Sequence, residues 1–406
     1  MQFKDVIGQK ELKLQLTHML QQNRLSHALL FLGKEGSGAL PMALAFAQYI
    51  VCENNGLNKK TTPAAEPSLF GEAPEPIPSP GGGGATDSCG TCAACSKSAL
   101  LIHPDIHFSY PVITQKPGDK PVSTDFIVQW REFISKYPYG NNFDWLQHIG
   151  AENKQGNITA HECNDIIRKM SLKSFESLYK IQIIWMPELL GKEGNKLLKL
   201  IEEPPPDTLF ILVAENDALI LPTILSRTQL IKVPLLSPRD IEAALEIRQH
   251  ISVSKAQQVA MSSEGNYHEA IHQLQHADDD RELLLRDWLN SIIKSGPAAQ
   301  VKWVDETAKL GREKQKQFLK YFTHLLQQAI RMSVSGGKEQ EPEGANMDFI
   351  FRLNKLCDLS QKEAIAKELD NAAYYIERNA NAKMLFLALS LRLYHIISNN
   401  SVILIQ

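Results

Sequence analysis

Three cysteines stand close together in "CGTCAAC": Cys89, Cys92 and Cys95. The C-x2-C-x2-C spacing crowds three sulfurs into a few residues. In a reducing compartment such thiols bind metal rather than pair, and thiolates at this spacing suit tetrahedral zinc. A fourth ligand is available from Cys52, His103 or His107. A shell closed by four protein ligands has no open position, so the chemistry expected here is structural, not catalytic. Cys163 and Cys357 are isolated and read as buried thiols.

A second candidate begins at Gly33 in "GKEGSGALPMA". The phosphate-gripping pattern is G-x-x-x-x-G-K-[ST]. Gly33 and Gly38 hold its glycine positions and Gly36 adds a third, but Ala39 replaces the lysine and Leu40 the hydroxyl. Backbone N–H groups at a helix N-terminus attract anions unaided. Catalysis also needs the lysine on the β/γ-phosphates and the hydroxyl on Mg²⁺. Lys34 and Ser37 lie in the loop but out of register. The loop is thus expected to keep its shape and lose its chemistry, with no ATP or Mg²⁺ working in it. The strand "KIQII" agrees, because a hydrolase of this kind needs an acidic pair at its end. Trp185-Met186-Pro187 follow instead, with Glu188 displaced.

The third candidate is Ser226-Arg227 in "LPTILSRTQ", read as lying just after the last strand. Such an arginine caps a helix or sits in solvent. Alternatively, it stabilises charge on a phosphoryl group bound by a neighbouring subunit, an effect worth about 10³–10⁵ in rate. Composition alone does not choose between the two.

The elements that must hold these residues alternate between strand and helix. "HALLFLG" (27–33) reads as a buried strand, and "ALPMALAFAQYIVC" (39–52) as a helix with Pro41 in its first turn. "ITAHECNDIIRKM" (158–170) is a predicted helix capped by Thr159, and "YKIQIIWM" (179–186) a strand. "NKLLKLIEE" (195–203) is a helix stopped by Pro204, and "TLFILVAE" (208–215) a strand. The pattern predicts an α/β fold with a parallel sheet covered by helices. Ser237-Pro238 opens a new helix, and from there the periodicity is helical throughout. "AKMLFLALSLRLYHII" (382–397) is apolar enough to require burial in a bundle or against another chain.

Two stretches interrupt this order. Residues 53–88, with "TTPAAEPSLFGEAPEPIPSPGGGG", lack periodicity and read as a disordered insertion. Residues 110–157 read as an irregular zone with one amphipathic helix, "TDFIVQWREFISKY", capped by Asp125. Its aromatics, Trp130, Phe133, Tyr137, Tyr139, Phe143 and Trp145, read as a small satellite core rather than a binding surface.

The whole chain sets limits on function. Its 406 residues suit two to four domains. With 43 Lys plus Arg against 46 Asp plus Glu, the net charge of -3 argues against a protein that mainly coats nucleic acid. No apolar run suits a signal peptide or a membrane span, so the expected location is the cytoplasm.

These residues together resemble the delta-prime family of bacterial DNA polymerase III clamp-loader subunits, in the AAA+ superfamily. The resemblance rests on "VIGQ" (6–9), "RLSHALLFLGKEGSG" (24–38), "CGTCAAC" (89–95) and "HPD" (103–105), with "NKLLKLIEEPPPDTLFIL" (195–212) and "LPTILSRTQ" (221–229). It covers about residues 1–235. Beyond that, "GNYHEAI" (265–271) is similar to the sensor-2 stretch, with His268 in place of an arginine, and "ERNANAKMLFLAL" (377–389) to the last collar helix.

The resemblance implies three domains: an AAA+ module over 1–235, a helical lid over 236–276 and a helical collar over 277–406. It implies a zinc ion on Cys52, Cys89, Cys92 and Cys95. It also implies a stator that does not hydrolyse ATP, with Arg227 acting in trans on an adjacent ATPase subunit. Thr228 stands where the family's Ser-Arg-Cys motif has cysteine. The implied partners are gamma/tau-type ATPase subunits and a delta subunit in a hetero-pentamer that loads the sliding clamp onto primed DNA. One rival is a self-sufficient AAA+ ATPase, which would have to hydrolyse ATP alone. Another is a zinc-containing DNA-binding module, for which Lys192, Lys196 and Lys199 are the best basic cluster.

Overall fold

The computed structural model describes residues 1–55, 86–114, 116, 118–151, 156–275, 279–334, 347–377 and 380–399. The chain divides into two compact units, Met1–Gln275 and His276–Gln406. The insertion expected at 53–88 lies, from 56 to 85, outside the described residues.

The first unit is built on five parallel strands: β1 (Ala28–Leu32), β2 (Ile106–Ser109), β3 (Lys180–Trp185), β4 (Thr208–Ala214) and β5 (Gln229–Lys232). Their order is β2-β3-β4-β1-β5. β1 pairs with β4 from Ala28↔Phe210 to Leu32↔Ala214, and with β5 from Leu29↔Gln229. β3 and β4 are buried along their full length, as expected for parallel strands covered on both faces. Alternation divides β1 between two cores. Leu29 and Phe31 face one, Ala28 and Leu30 the other.

Helix α1 is Lys10–Gln21, α2 is Ala39–Val51 and α3 is Ala93–Ala99. All thirteen residues of α2 are buried, because it packs on the sheet on one side and on α3 on another. Its small residues allow that close approach. α4 (Ile127–Lys136) and α5 (Asn142–His148) follow, then α6 (Ala160–Ser171), which starts where Thr159 accepts from the Glu162 N–H.

The aromatic zone differs from its expectation. It holds two regular helices, and Trp130, Phe133 and Trp145 are fully buried in the main core, not in a satellite. Trp130 stacks on Tyr110 at 4.1 Å and meets Trp185 of β3 at 5.3 Å, which ties the zone to the sheet. Asp125 does not cap α4. It lies inside a 3-10 turn, Ser123–Phe126, and accepts from the Val122 N–H.

The helix expected over 195–203 is also shorter. A 3-10 segment, Pro187–Leu197, is broken at Gly191, and only α7 (Leu198–Glu202) is α-helical. α8 (Pro222–Leu225) leads directly into β5. Ser226-Arg227 therefore precedes the last strand instead of following it. β5 was hidden because it is an edge strand with only Ile231 buried.

α9 (Pro238–Gln249), α10 (Val253–Ser262) and α11 (Tyr267–Gln275) complete the unit. Ser237 caps α9 with Pro238 behind it, as read. These helices have a small core of their own, around Ile241, Leu245, Ala256 and Ala270, which also takes in Ile7 and Tyr139.

The second unit is helical: α12 (Asp279–Asn290), α13 (Pro297–Thr307), α14 (Arg312–Val334), α15 (Met347–Leu356), α16 (Leu359–Glu377) and α17 (Ala382–Asn399). Trp288 and Trp303 stack at 4.8 Å in its core, and the Trp288 indole N–H donates to Ser390. α17 buries Phe386, Leu389 and Leu393 there, which accounts for its apolar sequence. Among the described residues, no helix is long and apolar enough to cross a membrane.

Candidate functional site

The two ends of α2 hold the two motifs read first. At its C-terminus, Cys52 meets the cysteines of the α3 segment. The sulfurs of Cys52, Cys89, Cys92 and Cys95 all lie within 4.8 Å of one another. Cys89 and Cys95 are 3.9 Å apart. Sulfurs 2.3 Å from a tetrahedral zinc would stand about 3.8 Å apart, so the group is of the right size for one ion.

The local chain explains the convergence. The Cys92 N–H points at Cys89 Sγ (3.3 Å), the Cys95 N–H at Cys92 Sγ (3.4 Å) and the Cys89 N–H at Cys52 Sγ (3.3 Å). The amides on Cys89 and Cys52 favour their thiolates. Burial pushes the Cys89 thiol up, but the amides of Thr91 and Cys92 and the side chains of Thr91 and Asn54 outweigh it, bringing it to about 5. Burial pushes Cys52 and Cys95 up, a penalty that a bound cation removes. The four cysteines can hold a metal ion. The histidines considered as a fourth ligand are not in the group. His103 lies 3.3 Å from Glu176 and accepts from the Asp105 N–H.

At the N-terminus of α2, the glycine loop has the expected shape. Gly36 and Gly38 take positive φ, 71° and 88°, and Gly38 is the N-cap residue of α2. Ala39 and Leu40 are buried in the first turn. Ser37 is fully buried with its hydroxyl turned inward, 2.5 Å from where a Gly33 Cβ would sit. Its hydroxyl has no hydrogen-bond partner among the described residues.

The loop is covered by other parts of the chain. Tyr139 lies over Gly38, with Cε1 2.9 Å from a Cβ placed there, and its hydroxyl accepts from the Ile7 N–H at 2.8 Å. Asn266 sits against Gly36, where a Cβ would overlap its Oδ1. The Tyr267 N–H donates to the Gly36 carbonyl at 3.3 Å. His268 stands between two carboxylates, 3.0 Å from Glu35 and 2.7 Å from Asp144. Burial alone would lower the His268 pKa, but hydrogen bonds to Asp144 and Glu35 reverse that and push it up to about 10.

The end of β3 carries no acidic pair. Trp185 is buried in the aromatic cluster, and Met186 turns the chain with φ 59°. Glu188 instead accepts from the Glu215 N–H (2.6 Å) and the Asn216 N–H (2.9 Å) after β4.

Arg227 is half-buried at the surface. Its Nε donates to Glu202 Oε1 at 2.5 Å, and its NH1 donates to the Thr223 carbonyl at 2.8 Å and Ser226 Oγ at 3.0 Å. A cleft of about 650 Å³ opens beside it, lined by Ser26, His27, Glu202, Ser226, Arg227 and Gln229. Lys196 pairs with Glu193 at 2.8 Å, which dilutes the basic cluster around it.

The family described as "DNA polymerase III, delta subunit" matches residues 8–67 and 82–237, more than half of the chain. The chain belongs to that family. The match contains the glycine loop, the four cysteines and Arg227, so the resemblance drawn from those motifs holds. The DNA polymerase III subunit delta' of Bacillus subtilis (strain 168) is 27% identical over 245 residues, 60% of this chain and 53% of that one. The subunit gamma/tau of Mycobacterium tuberculosis (strain H37Rv) is 25% identical over 244 residues, 60% of this chain and 30% of that one. The chain spans about half of the first relative's length and less of the second. A solved gamma subunit-related protein of Thermotoga maritima aligns over 93% of this chain at 12% identity, with a TM-score of only 0.33.

Sequence reasoning singled out the cysteines, the loop and Arg227, but not what lies on the loop. His268 was noticed as a missing arginine. Its partners Glu35 and Asp144 are distant in sequence and carry no shared pattern. Tyr139 was read only as one aromatic of a satellite core, and nothing in its stretch points to the loop.

Proposed function

We propose that this chain is a non-hydrolysing, delta-prime-type stator of a cytoplasmic clamp loader. In this reading it joins gamma/tau-type ATPase subunits and a delta subunit in a hetero-pentamer. The ring places the sliding clamp on primed DNA. The three domains are the module 1–235, the lid 236–276 and the collar 277–406, through which the ring is built.

One contrast carries the reading. Arg227 is held at the rim of an open cleft by Glu202 and Thr223, whereas the chain's own loop opens α2 with Ala39-Leu40, without lysine or hydroxyl. An arginine so placed serves a phosphoryl group only if another subunit brings it. Its guanidinium would then neutralise charge spread over the transferring group. Ser226 orients it through the 3.0 Å hydrogen bond.

Cys52, Cys89, Cys92 and Cys95 would hold zinc. The ion would tie the end of α2 to α3, leaving no ligand position for catalysis.

Reconstitution with gamma/tau-type and delta subunits tests the arginine. With Arg227→Ala the ring should still assemble, and the clamp-stimulated ATP turnover of the neighbouring site should be lost. Turnover equal to wild type would remove the finger.

A further inference from the structure

Three separate parts of the chain meet at the glycine loop. Tyr139 comes from the turn between α4 and α5, Asn266 to His268 from the start of α11, and Ile7 and Gln9 from the N-terminal segment. Gln9 Nε2 donates to the Ser37 carbonyl (3.3 Å) and to the Pro234 carbonyl (2.6 Å). Tyr139 and Tyr267 meet edge to face at 4.9 Å, with the Arg248 guanidinium 6.0 Å from each ring.

The polar links run the same way. Asn141 and Asp144 form the capping box of α5. That cap does double duty, because Asn141 also donates to Glu35 at 3.2 Å and Asp144 receives His268. Glu35 is itself a loop residue. One short cluster therefore joins loop, α5 and α11.

We propose that residues 137–148 and the start of α11 form a built-in plug, which occupies the face of the 33–38 loop and locks α9–α11 onto the sheet module without a nucleotide.

In this role the segment between α4 and α5 is not a decoration. It does what a bound nucleotide would do in a working site, bridging the loop to the helices above it. The missing lysine explains why the loop cannot act. The plug explains why the helices need not move. The inference rests on geometry within the first unit and stands whether or not Arg227 serves a partner.

Hydrogen exchange on the full chain tests it, with and without ATP and Mg²⁺ at about 1 mM, a concentration that reveals even weak sites. Without ATP, amides of 265–275 and 137–148 should exchange as slowly as those of α2, and ATP should change nothing. His268→Gln keeps the shape but removes the charge. It should speed exchange in both segments by about tenfold or more, leaving α6 unchanged. If His268→Gln loosens α6 as well, Asn141→Ala is read by the same rule. Slowing of exchange by ATP in the wild type would overturn the plug. So would variants whose 137–148 and 265–275 amides exchange at wild-type rates.

Discussion

The two ends of α2 met opposite fates. At its C-terminus four cysteines come close enough to hold a metal ion. At its N-terminus Ala39 and Leu40 stand where the phosphate-gripping pattern has lysine and a hydroxyl, and folding covers the loop with Tyr139 and Asn266. The comparison teaches that side chains able to hold a ligand can be read from the chain when they are present. When they are lost, the sequence tells only what the place cannot do. What replaces the function lies in tertiary contacts.

The largest expected effect is at the cysteine end. Purified protein should carry close to one zinc per chain by elemental analysis. Cys92→Ser and Cys52→Ser should both lose it, and a chelator should unfold the 86–103 segment. Structural zinc binding is worth about 10–16 kcal/mol in small zinc-finger peptides, so no other single loss compares. Full zinc in Cys52→Ser would mean that a histidine completes the shell and that the end of α2 is not part of it.

The next effect concerns the base of the plug. Trp130 is fully buried between Tyr110, Trp145 and Trp185, and Trp130→Ala should cost about 3–5 kcal/mol by urea unfolding. Exchange should rise in 137–148 as well, since that segment leaves from the same cluster. A loss below about 1 kcal/mol would return the aromatic zone to a satellite role.

His268→Gln should cost somewhat less, toward the low end of about 3–5 kcal/mol for breaking a buried pair. Its pH dependence is distinctive. His268 titrates near 6.5 when unfolded and near 10 in the fold. The charged form is the one that the fold favours, so its contribution is complete below pH 6.5 and is lost as pH rises through 10. Glu35 and Asp144 face the ring, with His272 6.0 Å away. The difference in melting temperature between wild type and His268→Gln should therefore shrink from pH 6.5 to 10. A difference that stays constant over that range would show that the imidazolium is not what holds the plug.

The smallest stability effect is expected at Glu202. Its pair with Arg227 is partly exposed, and such pairs contribute about 0–1 kcal/mol. Glu202→Gln should leave the melting temperature almost unchanged. A large drop would make the pair a structural clamp and weaken the case that Arg227 is kept for a partner.

Much of this was legible in the chain itself. β1 and β4 are near-continuous apolar runs because both faces of a parallel sheet are covered, and β3 is one apart from Lys180 and Gln182. The cysteine spacing marked Cys89, Cys92 and Cys95 directly, but left the fourth member open between Cys52, His103 and His107. β5 escaped because an edge strand with one buried residue has no such run, and Arg227 was consequently placed on the wrong side of the last strand. The 3-10 segment at 187–197 escaped because its leucines and lysines resemble an amphipathic helix, while Gly191 interrupts it. The plug escaped for a deeper reason. Its links join residues more than a hundred positions apart, and no local period encodes such a meeting.

The shut loop is tested most directly by phosphate release from the lone full-length chain, given ATP and Mg²⁺. No release above the protein-free control is the expected result. Steady release by this chain, abolished by mutating its own loop, would contradict the proposed silent pocket.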